Sequence, residues 1–331
     1  MRLIVDAMGG DNAPEAIVRG AALACRKRGV DLTLVGDESR IREYLPSGFE
    51  CRVVHTKKTV SMDDDPLSIL RENRESSMGV GLSLLKEDGD AFLSAGSTGA
   101  LVAGASSRVI FGKIRGIKRA AIATVLPLSN PVLLMDSGAN VEVSAEELLQ
   151  FALMGSVYSK RLLGVSDPRV ALVNNGSEPT KGTPVYREAY GLLLGDPDIN
   201  FVGNVEGRDI PMDFCDVAVC DGFVGNVILK LCEGFGKFMS KSLREMFMHD
   251  PLTKLGGALT KRGIGRLKAS LDFSKYGGAP VLGIPKPVIK AHGSSDEEAV
   301  GSAVDQAVYF YENGICGEIA ALASKFREER K

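Results

Sequence analysis

The sequence predicts an α/β fold in which a mostly parallel β-sheet is covered by helices on both faces. Short apolar runs alternate with segments of helical period along nearly all 331 residues. This alternation is typical of βαβ units, whose parallel strands are buried on both sides. Apolar residues make up 44% of the chain and charged residues 25%, which fits a packed globular protein and excludes a disordered one.

Each predicted strand is a short apolar run bounded by Gly, Pro, Asn, Asp or Ser. In chain order the predicted strands are residues 3–8, 31–36, 51–56, 91–95, 120–126, 131–135, 169–173, 200–202, 217–220 and 287–291. Ser129 and Asn130 separate two of these runs by a tight turn, so we expect residues 120–135 to form a hairpin.

The predicted helices fill the intervals between the strands. They cover residues 15–29, 66–86, 97–110, 144–163, 183–194, 223–248 and the stretch from 295 into the charged C-terminus. Pro14 precedes the first helix and Gly29 ends it, as helix boundaries require. Repeated glycines make residues 250–283 the one irregular region. No stretch has the composition of a linker, so we expect a single catalytic α/β domain over residues 1–331.

Charge and cysteine usage limit the function classes. The formal net charge is −2, which argues against a nucleic-acid-binding protein. Six cysteines occur without a CxxC pair, and there are only three histidines, so reduced cytosolic thiols are favoured over structural zinc. The N-terminus has no apolar stretch of the signal-peptide type, and no apolar run could span a bilayer. We therefore expect a cytoplasmic protein.

Loops rich in Gly, Ser, Thr and Asn follow most of the predicted strands. They are residues 6–14, 96–99, 136–140, 174–178, 203–209, 221–226 and 292–295. In an open parallel sheet a ligand binds outside the carboxyl ends of the strands, so we expect these loops to share one edge. Glycine allows close backbone approach, and helix N-termini favour anions. Together the loops predict an anion-binding cleft, with phosphate as its occupant.

Each of these signals also has a structural interpretation. One glycine-rich loop can be a plain connector, and Asp6, Asp11, Asp136 and Asp221 can cap turns or helices rather than bind a ligand. Lys181 and Lys230 can be solvated surface lysines, and His292 can be a structural histidine. The chain has no GxGxxG motif after its first strand and no Walker sequence, which argues against a dinucleotide or nucleoside triphosphate site.

A basic amphipathic stretch covers approximately residues 250–272. Leu252, Leu255 and Leu259 recur at helical spacing, and Lys261 and Arg262 follow them. Such a segment can lie on an anionic membrane surface. An oligomer interface or a lid over the cleft explains the same pattern, and the interpretations are compatible if the segment projects from a dimer.

The order of the motifs resembles one known family. Residues 5–11, 94–100, 136–140, 203–209, 221–227, 276–280 and 292–295 are similar to the motifs of PlsX-type phosphate acyltransferases of bacterial phospholipid synthesis. The resemblance covers essentially the whole chain. Asn175 and Ser177 depart from the family pattern, which has Ile and Glu at these positions, but Lys181 and Gly182 are kept.

The resemblance implies a homodimer with a Rossmann-like α/β/α sandwich, similar to isocitrate- and isopropylmalate-type dehydrogenases and to phosphate acetyltransferases. It implies transfer of a fatty acyl group from acyl carrier protein to inorganic phosphate. The acyl phosphate would supply a membrane glycerol-3-phosphate acyltransferase. It further implies a cytoplasmic protein that associates peripherally with the inner face of the cell membrane.

The chemistry of such a transfer favours positioning over acid–base catalysis. Phosphate is largely dianionic at neutral pH, and the leaving thiol has a pKa of roughly 8.5, so fixed hydrogen-bond donors and cations should dominate. We therefore expect catalytic roles for Lys181, Lys230, His292 and Asn226, with no metal and no cofactor. The predicted substrate-binding and phosphate-binding residues are Asp6, Gly9, Gly10, Gly96, Ser97, Thr98, Gly138, Asn140, Asp221 and Gly225.

Two other functions fit the same pattern. One is a metal- and nicotinamide-dependent dehydrogenase of the isocitrate type, which would share the fold and use the aspartates as metal ligands. The other is a non-catalytic membrane scaffold that docks acyl carrier protein. An absorbance assay with nicotinamide cofactor tests the first, and thiol release from an acyl thioester separates the second from an enzyme.

Overall fold

The computed structural model describes residues 1–269 and 276–328 of the chain. Its described strands join in one eleven-stranded sheet with the order β3-β2-β1-β4-β11-β10-β5-β6-β9-β7-β8. The strands are β1 Arg2–Asp6, β2 Asp31–Gly36, β3 Arg52–His55, β4 Ala91–Ser94, β5 Ala121–Leu126, β6 Val132–Met135, β7 Arg169–Val173, β8 Asn200–Val205, β9 Val217–Val219, β10 Ala279–Leu282 and β11 Val288–Lys290.

The helices cover the two faces of this sheet. They are α1 Glu15–Arg28, α2 Glu38–Tyr44, α3 Ser77–Glu87, α4 Thr98–Ser106, α5 Ala145–Leu162, α6 Pro184–Gly195, α7 Gly222–Met248, α8 Pro251–Ala269, α9 Glu297–Glu312 and α10 Ile315–Glu328. Two short 3₁₀ helices, Pro66–Leu70 and Ile210–Met212, complete the regular structure. The predicted α/β class and the alternation of strands and helices are confirmed.

Both faces of the sheet are buried, as the continuous apolar strands predicted. In β1, Leu3 and Val5 pack with α1 and α9, whereas Ile4 between them packs with α3 and α4. In β6, Leu133 packs against α5, and the next residue, Leu134, belongs to a core on the opposite face. Successive side chains of a strand point to opposite faces, so this alternation requires a helical layer on each side.

The strand directions divide the sheet into two halves. The first half, β3-β2-β1-β4-β11, is parallel throughout, and so is the second half, β6-β9-β7-β8. Between the halves, β11–β10, β10–β5 and β5–β6 are all antiparallel pairs. Three reversals make the two halves run in opposite directions. The expectation that every loop leaves the same edge is therefore wrong, because the hairpin and β10 invert the second half.

Two segments differ from the sequence prediction for local reasons. Residues 66–86 do not form one helix, because the hydroxyl of Ser76 accepts a hydrogen bond from the Gly79 N–H (3.2 Å) and starts α3 there. The prediction also missed β10, a four-residue strand that pairs with the nearby β11 and with the distant β5. The hairpin of β5 and β6 is confirmed.

The glycine-rich region after α7 is more regular than its composition predicted. Helix α8 runs through four glycines, and one of them allows close packing on α7: a Cβ added at Gly257 would lie 3.1 Å from the Phe247 Cβ. The last residues of the predicted 250–272 segment, from 270, lie outside the described residues.

In the described part of the chain, no helix combines the length and hydropathy needed to cross a bilayer. The expectation of one catalytic domain over 1–331 stays a prediction.

Candidate active site

The first group of loops follows β1, β4 and β11 and is held together by backbone hydrogen bonds. The Asp11 N–H donates to the Gly293 carbonyl (2.7 Å), and the Asn12 side-chain amide donates to the Ser294 carbonyl (3.2 Å). A Cβ added at Gly9 would lie 2.7 Å from the Gly96 nitrogen, so only glycine permits this approach. The loops after three adjacent strands are thus in direct contact with one another.

The second group of loops follows β6 and β9 and is organised by one carboxylate. Asp136 accepts hydrogen bonds from backbone N–H groups and from one side-chain amide; the donors are Ile122, Gly138, Ala139 and Asn140, the last through both its backbone and its Nδ2. Burial raises the pKa of the Asp136 carboxyl, and these hydrogen bonds oppose that rise. The Gly222 N–H donates to the Asn140 carbonyl (2.7 Å), which ties the start of α7 to the same loop.

A cleft with a volume of about 910 Å³ lies between the two groups of loops. Thr98, His292 and Ser294 line it from the first group, and Gly138 and Asn226 line it from the second. Helix α7 lies along one wall with its side chains at helical spacing: Asn226, Leu229, Lys230, Glu233, Lys237 and Ser240. Loops from oppositely directed halves therefore meet in one pocket, although they leave different edges of the sheet.

The cleft has a polar part and an apolar part. Ile122 and Val125 of β5 and Leu229 of α7 supply apolar surface, and Ala279 at the start of β10 adds to it. Lysine, histidine and serine side chains supply the polar part at the ends of β11 and along α7. An amphipathic substrate, with an anionic reacting group and an aliphatic tail, matches this division.

Glu233 connects the two predicted groups Lys230 and His292. The Lys230 ammonium donates to one Glu233 oxygen at 2.9 Å, and the other oxygen lies 3.9 Å from the His292 Nε2. The Glu233 side chain is 18% exposed, whereas that of Lys230 is 56% exposed. Sequence reasoning missed Glu233, although its position three residues after Lys230 on a predicted helix was a usable signal.

His292 lines the cleft, and one of its ring nitrogens is left as a donor. Its Nδ1 accepts a hydrogen bond from the Ser294 backbone N–H (3.3 Å), which places the proton of the neutral ring on Nε2. Burial lowers the pKa of His292, and the repulsion of Lys230, Lys290 and Lys237 acts in the same direction, against the attraction of Glu233. The neutral imidazole is therefore favoured at pH 7, and it still carries an N–H.

Lys290, which sequence reasoning also missed, ends β11 inside the cleft. The residue is 9% exposed, and its ammonium donates to the carbonyls of Ala95 (3.3 Å) and Ala291. Burial and the repulsion of nearby Lys230 together lower the pKa of Lys290 to about 8, against the attraction of Asp6 and Asp11. A lysine within the apolar run of residues 288–291 was the signal in the sequence.

Five of the predicted site residues line the cleft: Thr98, Gly138, Asn226, Lys230 and His292. Gly138 has a φ of 144°, which disfavours a side chain, and a Cβ there would lie 3.6 Å from the Asn226 Oδ1. Asn226 and Gly138 are therefore neighbours across the two loops of the second group, as a shared role in binding would require.

The other predicted site residues support the loops or lie beside them. Asp6 is buried and accepts from the Ser94 hydroxyl (2.7 Å), and burial raises the pKa of its carboxyl. Ser97 and Asp221 cap α4 and α7 with their side chains. The remaining members of this set do not line the cleft in the described part of the chain: Gly9, Gly10, Gly96, Asn140, Gly225 and Lys181.

Lys181 lies in the loop after β7, outside the cleft. Its ammonium is 4.0 Å from a Glu178 oxygen, and its side chain is 47% exposed. The loops 174–178 and 203–209 also contribute no cleft-lining residue. The catalytic role predicted for Lys181 stays a prediction.

The fold is shared with solved acyl-transfer and dehydrogenase structures. A phosphotransacetylase from Streptococcus pyogenes matches with a TM-score of 0.58 at 18% identity, covering 98% of this chain and 94% of that one. A 4-hydroxythreonine-4-phosphate dehydrogenase from Klebsiella pneumoniae matches with a TM-score of 0.52 at 13% identity, covering 94% and 99%. At these identities the likeness shows the α/β architecture alone.

Sequence comparison is more specific. The family model described as "Fatty acid synthesis protein" matches residues 1–318. A protein named phosphate acyltransferase from Thermoanaerobacter pseudethanolicus is 44% identical over 322 residues, which cover 96% of each chain. The chain therefore belongs to the fatty acid synthesis protein family, as its motifs predicted, and is an acyltransferase.

Proposed function

We propose that the chain transfers a fatty acyl group from acyl carrier protein to inorganic phosphate and releases an acyl phosphate. The observation that carries this proposal is the cleft itself, where Lys230, the His292 Nε2 donor and the N-terminal residue of α4, Thr98, surround one space. Cations and a helix N-terminus favour an oxyanion. The apolar surface of Ile122, Val125 and Leu229 fits an aliphatic chain next to it.

The proposed reaction proceeds by direct displacement at the thioester carbonyl. A phosphate oxygen attacks the carbonyl carbon, the carbonyl oxygen becomes an oxyanion, and the C–S bond then breaks to release the carrier thiolate. Lys230 binds the attacking phosphate, and the His292 Nε2–H donates to the developing oxyanion. Asn226 orients one of the reacting groups from its position beside Gly138. These roles require fixed donors rather than a general base.

Phosphate-dependent release of free carrier thiol is the direct test of this function. The purified protein is mixed with acyl–acyl carrier protein, and a thiol reagent measures free thiol with and without inorganic phosphate. Release only in the presence of phosphate, with an equal amount of hydroxylamine-reactive acyl phosphate, supports the proposal. Absence of phosphate-dependent release by the folded protein would refute it.

Lys230→Met is expected to raise the phosphate KM about tenfold, because a charge-assisted hydrogen bond to the dianion is lost. Lys241→Met is the matched control, since Lys241 lies on the same helix, pairs with Glu245 at 3.8 Å and does not line the cleft. Initial rates at varied phosphate concentration measure both variants. Equal KM values for wild type and Lys230→Met would remove Lys230 from the phosphate site.

We further propose that the protein acts as a homodimer at the membrane surface, where a glycerol-3-phosphate acyltransferase would take up the acyl phosphate. Support for the membrane contact comes from α8, on which Leu252, Leu255 and Leu259 are 77%, 58% and 80% exposed. Lys261 and Arg262 follow on the same helix and are exposed. Helix α8 packs chiefly against α7, so this surface is available to anionic lipid.

Replacing Leu252, Leu255 and Leu259 together by serine is expected to reduce binding to anionic vesicles at least about tenfold, because apolar area no longer leaves water. Co-sedimentation with phosphatidylglycerol vesicles measures the bound fraction. A Leu23→Ser and Leu194→Ser double variant is the control, since these leucines are also exposed but lie on α1 and α6. Unchanged co-sedimentation of the triple variant would contradict the lipid contact.

A further inference from the structure

Lys290 belongs to a row of polar side chains that crosses three neighbouring strands. It is in register with Ser94 of β4, and Ser94 is in register with Asp6 of β1. Residues paired in this way have side chains on the same face of a sheet. An acid, a hydroxyl and a lysine therefore lie side by side at the carboxyl ends of these strands, and the lysine ends the row at the cleft.

The Lys290 ammonium forms no ion pair with the residues that the structure describes. Two of its hydrogen-bond acceptors are the neutral carbonyls of Ala95 and Ala291. Among the residues that the structure describes, no carboxylate lies within ion-pair distance of it. Burial of an unpaired cation is costly, and the cost falls when a bound anion completes the pairing. An ammonium has three donors, so one remains for such a ligand.

The charged groups around Lys290 come from each neighbouring element. Lys230 on α7 repels it, while Asp6 at the end of β1 and Asp11 in the following loop attract it. His292, two residues later, also faces this group of charges. Lys230 is already paired with Glu233, whereas the buried Lys290 donates to backbone carbonyls.

We propose that Lys290 binds the phosphate substrate directly, with its remaining N–H donating to a phosphate oxygen. This inference rests on the proposed function and adds to it the buried contact that fixes the dianion at the end of β11. The dianion supplies the missing counter-charge, and Lys230 approaches it from α7. Lys290 is thus the inner phosphate ligand and Lys230 the outer one.

Equilibrium phosphate binding of Lys290→Met and Lys286→Met tests the proposal. Lys286 is a matched control because its ammonium also donates to two backbone carbonyls, those of Leu85 and Gly89 (both 2.8 Å), but does not line the cleft. Calorimetric titration with inorganic phosphate at pH 7.5 should give a Kd raised about tenfold or more for Lys290→Met. Lys286→Met should bind within twofold of wild type. Equal affinity of Lys290→Met and wild type would overturn the proposal.

A pH profile separates phosphate binding from a structural role. The Lys290 ammonium is present below its pKa of about 8 and is lost above it, so the wild-type phosphate Kd should rise between pH 7.5 and 9.5. In Lys290→Met the phosphate Kd should rise less over this pH range, because the titration of Lys290 no longer contributes to it. A purely structural lysine would lower the melting temperature of the variant but leave the profile of phosphate affinity unchanged, which would contradict the proposal.

Wild-type protein decides the question if Lys290→Met does not fold. Reductive methylation followed by peptide mass spectrometry should show that inorganic phosphate protects Lys290 but not Lys286. No protection of Lys290 at saturating phosphate would overturn the inference. Phosphate protection without thiol release in the acyl-transfer assay would instead refute the proposed function and leave the phosphate contact in place.

Discussion

Gly225→Ala is expected to abolish turnover and to destabilise the folded chain by about 3 kcal/mol or more. An alanine Cβ at this position would lie 1.8 Å from the Asp136 carbonyl oxygen and 2.9 Å from its carbon. Asp136 cannot retreat, because its side chain holds the loop through Ile122 and Asn140. The first turn of α7 would have to move and would take Asn226 away from Gly138. Urea unfolding and the thiol-release assay measure both effects.

Gly234→Ala is the control on the same helix. Gly234 is exposed, and no atom lies within 4 Å of the position its Cβ would take. Alanine is favoured over glycine inside a helix by roughly 1 kcal/mol, so this variant should gain stability and keep its activity. Opposite signs of the change in unfolding free energy at 225 and 234 are expected. Destabilisation of similar size at both positions would show that α7 tolerates no added methyl group, whatever its contacts.

His292→Ala is expected to lower kcat about a hundredfold while changing the phosphate KM little. The donor that it removes acts on the carbonyl oxygen as charge develops in the transition state, and loss of one such donor costs about two to three orders of magnitude in kcat. His292→Gln keeps an N–H donor on a side chain of similar reach and should recover part of the rate. Full turnover by His292→Ala would end the oxyanion role.

The pH dependence shows which protonation state of His292 acts. Burial holds its pKa below the usual value of about 6.5, so the ring is neutral from pH 7 upward, and the Ser294 N–H keeps the remaining proton on Nε2. The ratio of kcat between wild type and His292→Ala should therefore stay constant between pH 7 and 8. A ratio that falls with a midpoint in this range would show that the imidazolium is required.

The sequence predicted well those features that depend on neighbouring residues. Leu3, Ile4 and Val5 form an apolar run because both faces of β1 are buried, and such a run can be recognised without knowing its partners. Thr98, Gly138 and His292 were found because each lies within four residues of the end of a strand. Ser76 shows the limit of this reasoning, since its hydroxyl starts α3 in the middle of a pattern that is helical throughout.

The features that escaped prediction depend on long-range pairing. The reversed direction of the second half follows in part from β10, which pairs antiparallel with β5, a strand far away in the sequence. Lys290 is one charged residue in an apolar run. Only its register with Ser94 and its burial indicate that it takes part in the site. Glu233 acquires its role only when α7 is placed along the cleft beside His292. Sequence spacing alone contains none of these distances.

The position of β10 and β11 in the sheet has a consequence for how the protein is made. Residues 279–290 provide the two strands that connect β4 with β5, whereas the other strands of both halves are complete by residue 219. Without these two strands, β4 and β5 would each be left at the edge of a sheet, and an unpaired edge favours wrong association during synthesis. Residues of this late part of the chain line the cleft, among them Lys290 and His292, so the pocket described above can form only after that part has been synthesised.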